Sequence, residues 1–303
     1  LARRCCMQVV DSHIHLWDLK THRYPWLENP GVSFVGDARA LKHDYLLDDL
    51  LGEAADIEVL KLVHVEANHD PADPVEETRW LQAIAERPGS RGMPNAIVAA
   101  VDLSAANAAE RLDAHASFGN TRGIRQILNV HENKLFDYVG RHFMREPQWR
   151  EHFALLRRYD LSFDLQLYPS QMEAAAELAR THADTAFIVN HAGMFVDRSS
   201  VAGYRAWRDG MRLLAGCRNV AVKISGLAMF DHQWTVESLR PYVLETIDTF
   251  GVERAMFASN FPVDRLFGSY QDLWHAYASI VDGASDAEKA ALFCRNAERI
   301  YRI

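Results

Sequence analysis

Short apolar, β-branched runs recur along the chain, and most are followed by a stretch whose apolar residues fall at helical spacing. The runs cover residues 8–14, 59–65, 95–101, 123–128, 162–167, 186–190, 220–225 and 255–258. The amphipathic stretches cover 74–86, 105–118, 147–159, 171–182, 200–215, 235–250 and 269–281. Strands that alternate with helices imply parallel βα units. Eight of them predict an α/β fold of the TIM type, a (β/α)8 barrel that typically needs about 250 residues. The surplus falls in residues 16–50, an aromatic-rich insertion after the first strand. It holds Trp17, Tyr24, Trp26, Phe34 and Tyr45, with Pro25, Pro30, Gly31 and Gly36 breaking any helix. A loop this long predicts a cap beside the site mouth; the alternative is a cover over the barrel base. Residues 1–303 are read as one domain, without internal repeats.

Polar residues gather where the runs end. The first run passes into Asp11-Ser12-His13-Ile14-His15, and in a strand residues i and i+2 face one side, as a metal or a polarised carbonyl requires. The other ends carry His64 and Glu66, Asp102, Arg125, Gln166 and Tyr168, His191, Lys223 and Ser225, and Asn260. Barrel active sites are built at these C-terminal strand ends. Parity places His64 with Glu66, Asp164 with Gln166 and Tyr168, and Lys223 with Ser225 on shared faces. A buried charge there needs a metal, a partner or a ligand. For Asp102 and Asp164 a structural hydrogen-bond network explains the pattern equally well.

Composition narrows the classes. Of 303 residues, 49% are hydrophobic and 24% charged, as in ordinary globular proteins. The formal charge of −8 and the absence of any Lys/Arg run beyond Arg3-Arg4 or Arg157-Arg158 argue against nucleic acid. No apolar run approaches the roughly 20 residues of a membrane span. The first residues show no apolar signal core, so a cytoplasmic protein is expected, and Met7 stands as an alternative initiator. Four cysteines (Cys5, Cys6, Cys217 and Cys294) lack metal-finger spacing and are expected as reduced thiols.

Several longer motifs occur in order. They are Asp11-Ser12-His13-Ile14-His15-Leu16-Trp17 with Tyr24-Pro25-Trp26-Leu27, Val189-Asn190-His191-Ala192-Gly193, Val222-Lys223-Ile224-Ser225-Gly226-Leu227 and Phe257-Ala258-Ser259-Asn260-Phe261-Pro262-Val263. Together they resemble the amidohydrolase superfamily, and most closely the branch holding L-fuconolactonase, L-rhamnonolactonase and 2-pyrone-4,6-dicarboxylate lactonase. The resemblance covers essentially the whole chain. It implies that His13, His15 and His191 bind a divalent metal, with zinc the first choice, or polarise a carbonyl without one. It also implies that an aspartate after the eighth strand accepts the proton of the attacking water.

Here Asn260 stands in that place, and an amide cannot act as a base. Glu66 or Asp264 could supply the carboxylate, the site could work without a metal, or hydrolysis could be lost. The expected function is a hydrolase opening a small lactone of the sugar-acid or carboxylated class. Two rivals are a metal-dependent decarboxylase or C–C hydrolase, and a catalytically silent binding barrel. Arg125, Tyr168, Gln166, His64, Lys223 and Trp17 are the expected substrate contacts, Arg125 by a bidentate grip on a carboxylate. A small molecule is the expected partner, with no nucleic acid and no membrane; self-association is left open.

Overall fold

The computed structural model describes residues 7–303; Arg3, Arg4, Cys5 and Cys6 lie outside the described residues. Eight parallel strands make one sheet in chain order. They are β1 (Met7–Ile14), β2 (Ile57–Val65), β3 (Ala96–Ala100), β4 (Thr121–Arg125), β5 (Ser162–Leu165), β6 (Phe187–Val189), β7 (Val220–Ile224) and β8 (Ala255–Phe257). Each pairs with the next, as in Asp11 with Leu62, Val98 with Gly123, Asp164 with Ile188 and Lys223 with Met256.

The sheet nearly closes into a barrel, the last seam being made just past the strand ends. Asn260 N donates to His13 O and His15 N to Phe261 O, both at 2.8 Å. Buried Asp11 reinforces this seam by accepting from Ser259 N at 2.9 Å and from the Tyr270 hydroxyl at 2.9 Å.

Period-two alternation separates two cores. Val9, Leu62, Ile97, Ile124 and Phe163 face the surrounding helices. Val10, Val63, Val98, Ile188 and Met256 form a second cluster, joined by Ala297 and Tyr301. The helices around the sheet are α1 (Leu47–Ala54), α2 (Pro74–Ala85), α3 (Ala108–Ala116), α4 (Pro147–Phe153), α5 (Met172–Thr181), α6 (Val201–Ala215), α7 (Val236–Phe250) and α8 (Tyr270–Ile280). Local chemistry starts them. Proline opens α2 and α4, where its missing N–H costs nothing. The side chains of Ser200, Thr235 and Ser269 accept from backbone N–H groups of Gly203, Ser238 and Asp272.

Pro25, expected to break any helix, instead opens a short one over Pro25–Glu28, and two further regions depart from the sequence pattern. Helix α1 lies inside or just beyond the stretch read as loop, started by Asp49, whose carboxylate accepts from Leu46 N at 2.8 Å. The chain also ends in helical segments Asp286–Ala290, Ala291–Arg295 and Asn296–Tyr301, which carry Tyr301 into the barrel. No helix among the described residues is long and apolar enough to cross a membrane. Cys217 and Cys294 are free thiols.

Candidate active site

The C-terminal strand ends surround a cleft of about 350 Å³. His15 and Glu66 follow the last residues of β1 and β2, Arg125 ends β4, Gln166 follows β5, and His191 and Asn260 lie two and three residues past β6 and β8. All six line the cleft. The segment between β1 and β2 supplies Trp26 and Phe34 to its walls, and later loops supply Ile127, Tyr138 and Met229.

Arg125 is buried and its fork is spent within the protein. Nε donates to Glu66 Oε1 at 2.7 Å, Nη1 to Gln166 Oε1 at 2.7 Å and to Asn190 Oδ1 at 3.5 Å, and Nη2 to Glu66 O at 2.8 Å. Nη2 also lies 2.6 Å from Glu66 Oε1, and Asn68 N donates to the other oxygen, Oε2, at 2.8 Å. The pair neutralises itself and keeps its geometry. The expected grip on a substrate carboxylate is therefore corrected: Glu66 already occupies that fork.

The imidazoles pack together: the His13 ring centroid lies 5.0 Å from that of His15 and 4.6 Å from that of His191. Burial, followed by the charge of Arg125, pushes the pKa values of His15 and His191 well below the ordinary histidine range; for His13 the second cause is Lys223. All three are neutral at pH 7. His15 Nδ1 lies 2.8 Å from Val65 O, and a carbonyl only accepts, so Nδ1 carries the proton and Nε2 the lone pair. His191 Nδ1 meets Ser225 Oγ at 3.0 Å. Both nitrogens of His13 are buried without a hydrogen-bond partner.

Such donors are of the kind zinc prefers, and the bare nitrogens of His13 await a partner. Their arrangement is another matter. Among the described residues no group of three or more His, Cys, Asp or Glu side chains is placed to hold a metal ion. The expected trio lies ring against ring, with both nitrogens of His13 unpartnered.

Backbone conformation supports a built site. His191 (φ 54°), Asn260 (φ 59°) and Asn68 (φ 54°) occupy the left-handed region, which costs a histidine of order 1–3 kcal/mol. Surrounding structure must hold His191 there. Gly226 (φ 61°) is part of that support, because a Cβ at this position would collide with His191 Nδ1.

Other expected site residues stand behind the cleft wall. Tyr168 is buried and its hydroxyl donates to Phe136 O at 2.8 Å; the chain leaves β5 at Leu165, so strand parity no longer governs residue 168. Trp17 is wholly buried, donating to His43 O at 2.7 Å and packing against Trp26 at 5.5 Å. His64 Nε2 meets Leu16 O at 3.2 Å behind His15, and burial pushes its pKa down to about 3. Lys223 is sealed in the barrel, with Nζ 2.6 Å from Asp164 Oδ2, whose other oxygen accepts from Tyr301 at 2.7 Å. These are corrected from substrate contacts to supporting residues.

Asp264 needs a second correction. It lies behind Asn260, whose Nδ2 donates to it at 2.8 Å, and burial pushes its pKa up to about 8. It does not line the cleft, so Asn260 stands between its carboxyl and a substrate held there. Asn68 and Tyr138, joined by a 3.2 Å hydrogen bond at the mouth, were missed. Asn68 sits three residues past β2, where the strand-end rule extended slightly would have found it; Tyr138 lies in an irregular loop without periodic signal.

Comparison with known proteins agrees with this architecture. Residues 10–303 match the family model described as Amidohydrolase. The chain is 46% identical over 298 residues to an uncharacterized protein, y4mH, of Sinorhizobium fredii, covering 97% of this chain and 98% of that one. It is 27% identical over 308 residues to the L-fucono-1,5-lactonase of Burkholderia ambifaria, covering 97% and 95% of the two chains. Among solved structures, an amidohydrolase from Burkholderia multivorans with bound zinc superposes with a TM-score of 0.80 at 24% identity, covering 98% of this chain and 99% of that one. The match spans the sheet, the histidine-bearing strand ends and the cleft between them, and on that extent this chain belongs to the amidohydrolase family.

Proposed function

We propose that the protein hydrolyses a small lactone, with water attacking a ring carbonyl held between His15 and His191. The observation that carries this reading is the pair of neutral imidazoles facing one cleft with their far nitrogens anchored. His15 keeps its lone pair on Nε2, because Val65 O fixes the proton on Nδ1. His191 Nδ1 lies 3.0 Å from Ser225 Oγ; in this reading the hydroxyl donates to Nδ1, so that His191 carries its hydrogen on Nε2, toward the cleft.

One imidazole accepts and the other donates. His15 Nε2 takes a proton from water as it attacks, and His191 Nε2–H bonds the oxygen on which negative charge develops. The ring oxygen then leaves as an alcohol, taking the proton back from His15. A lactone suits so weak a base, because ring opening expels an alkoxide far more readily than an amide expels its nitrogen. The relation to L-fucono-1,5-lactonase supports the same bond type.

Acid release from a lactone panel tests the reading. Wild-type protein is expected to release acid and open the ring, while His15→Asn and His191→Asn each lose about 10²–10⁴ in kcat. Decarboxylation of unsaturated acids without lactone opening would contradict it.

A further inference from the structure

The geometry points to an uncharged substrate with an apolar substituent on its lactone ring, neither carboxylated nor polyhydroxylated. This rests on the lactone reading above and narrows the substrate class of the same cleft.

Charge is the first argument. Among the described residues lining the cleft, Arg125 is the only Lys or Arg and Glu66 the only carboxylate. Four hydrogen bonds already commit Arg125 to Glu66, Gln166 and Asn190, and Glu66 lies against its Nε–Nη2 edge as counter-charge. An incoming carboxylate would have to displace Glu66 or lie beside it unpaired, and a charge left so in a buried site is strongly disfavoured.

The walls give the second argument. Phe34 is stacked on Phe230 with centroids 5.5 Å apart, which fixes its ring. Trp26 commits its indole N–H to Ala67 O at 2.8 Å, so what it presents to the cleft is apolar ring surface. Val35, Ile127, Met229 and Val263 complete these walls from the loops after β1, β4, β7 and β8. Near them Asn68 donates to Tyr138, and Ser33 Oγ accepts from Val35 N at 3.3 Å. Substrate hydroxyls set against the apolar walls themselves would lose their water and meet carbon. An alkyl or aryl group gains from the same surface.

The test compares three δ-lactones on the full chain: alkyl-substituted (δ-decalactone), polyhydroxylated (an aldonolactone) and carboxylated. The alkyl lactone is expected to exceed the carboxylated one in kcat/KM by about 100-fold and the polyhydroxylated one by about 10-fold. Phe34→Ala is expected to raise KM for the alkyl lactone about 10-fold; if that variant fails to fold, the wild-type ranking decides alone. Either polar lactone as the best substrate overturns the inference and leaves lactone hydrolysis standing. Calorimetric binding of the matching lactams separates the two ideas. Binding of the alkyl lactam without hydrolysis of any lactone upholds the pocket assignment and removes the reaction, whereas tighter binding of a polar lactam, or of none, overturns the assignment.

Discussion

In the proposed reaction His15 and His191 hold opposite proton arrangements: Val65 O fixes the proton of His15 on Nδ1, and a Ser225 hydroxyl that donates to His191 Nδ1 leaves that ring's proton on Nε2. Because burial and Arg125 hold both pKa values well below 6.5, the base form persists as pH falls through that value. The acid limb of kcat/KM is therefore expected well below pH 6.5; a limb at 6.5 in a pH–rate profile would remove the buried imidazoles from the mechanism. Glu66 makes a different demand. Glu66→Gln leaves the guanidinium of Arg125 buried without its counter-charge, with an expected loss of about 3 kcal/mol of stability in urea unfolding. An unchanged midpoint and slope would show that the pair contributes little.

Between residues and barrel stand the short segments that leave each strand, and there the sequence was clear in some places and silent in others. Positions immediately at a strand end were legible: His15, Glu66, Arg125 and Gln166 lie within one residue of one and all reach the cleft. Tyr168 and Trp17, three residues out, did not follow the alternation because the chain had already turned into packing loops. Asp264 carried the right charge for a base in the sequence, but burial behind Asn260 was invisible there. The turn after β7 shows how such a segment supports chemistry. Gly226→Ala puts a methyl group where His191 Nδ1 now lies, so activity is expected to fall at least about 100-fold with circular dichroism unchanged. Full activity in that variant would free His191 from its assigned position.

At the scale of the whole molecule, the buried groups set the pH dependence of stability. The pKa values of His13, His15 and His191 are pushed well below 6.5, and those of His64 and His115 down to about 3 and 4, so the unfolded chain binds protons that the folded one refuses. Those five groups make stability rise with pH up to 6.5. Asp11, pushed up to about 6, and Glu77 and Asp264, pushed up to about 8, work the other way, since the folded protein keeps protons that the unfolded chain releases above about pH 4. The histidines outnumber the acids below 6.5; above it Glu77 and Asp264 lead, and Lys223, pushed down to about 8, opposes them only as pH nears that value. Calorimetric Tm is thus expected to peak near about pH 6.5 and to decline toward about pH 8. A monotonic rise across that range would mean that Glu77 and Asp264 ionise in the folded state. The claim on which the rest depends is that two neutral imidazoles open a lactone by themselves. It is tested most directly by hydrolysis of δ-decalactone after exhaustive chelation, with wild type and His15→Asn side by side: retained wild-type activity and a loss of about 10²–10⁴ in the variant are predicted, and wild-type activity abolished by chelation and restored by zinc would contradict it.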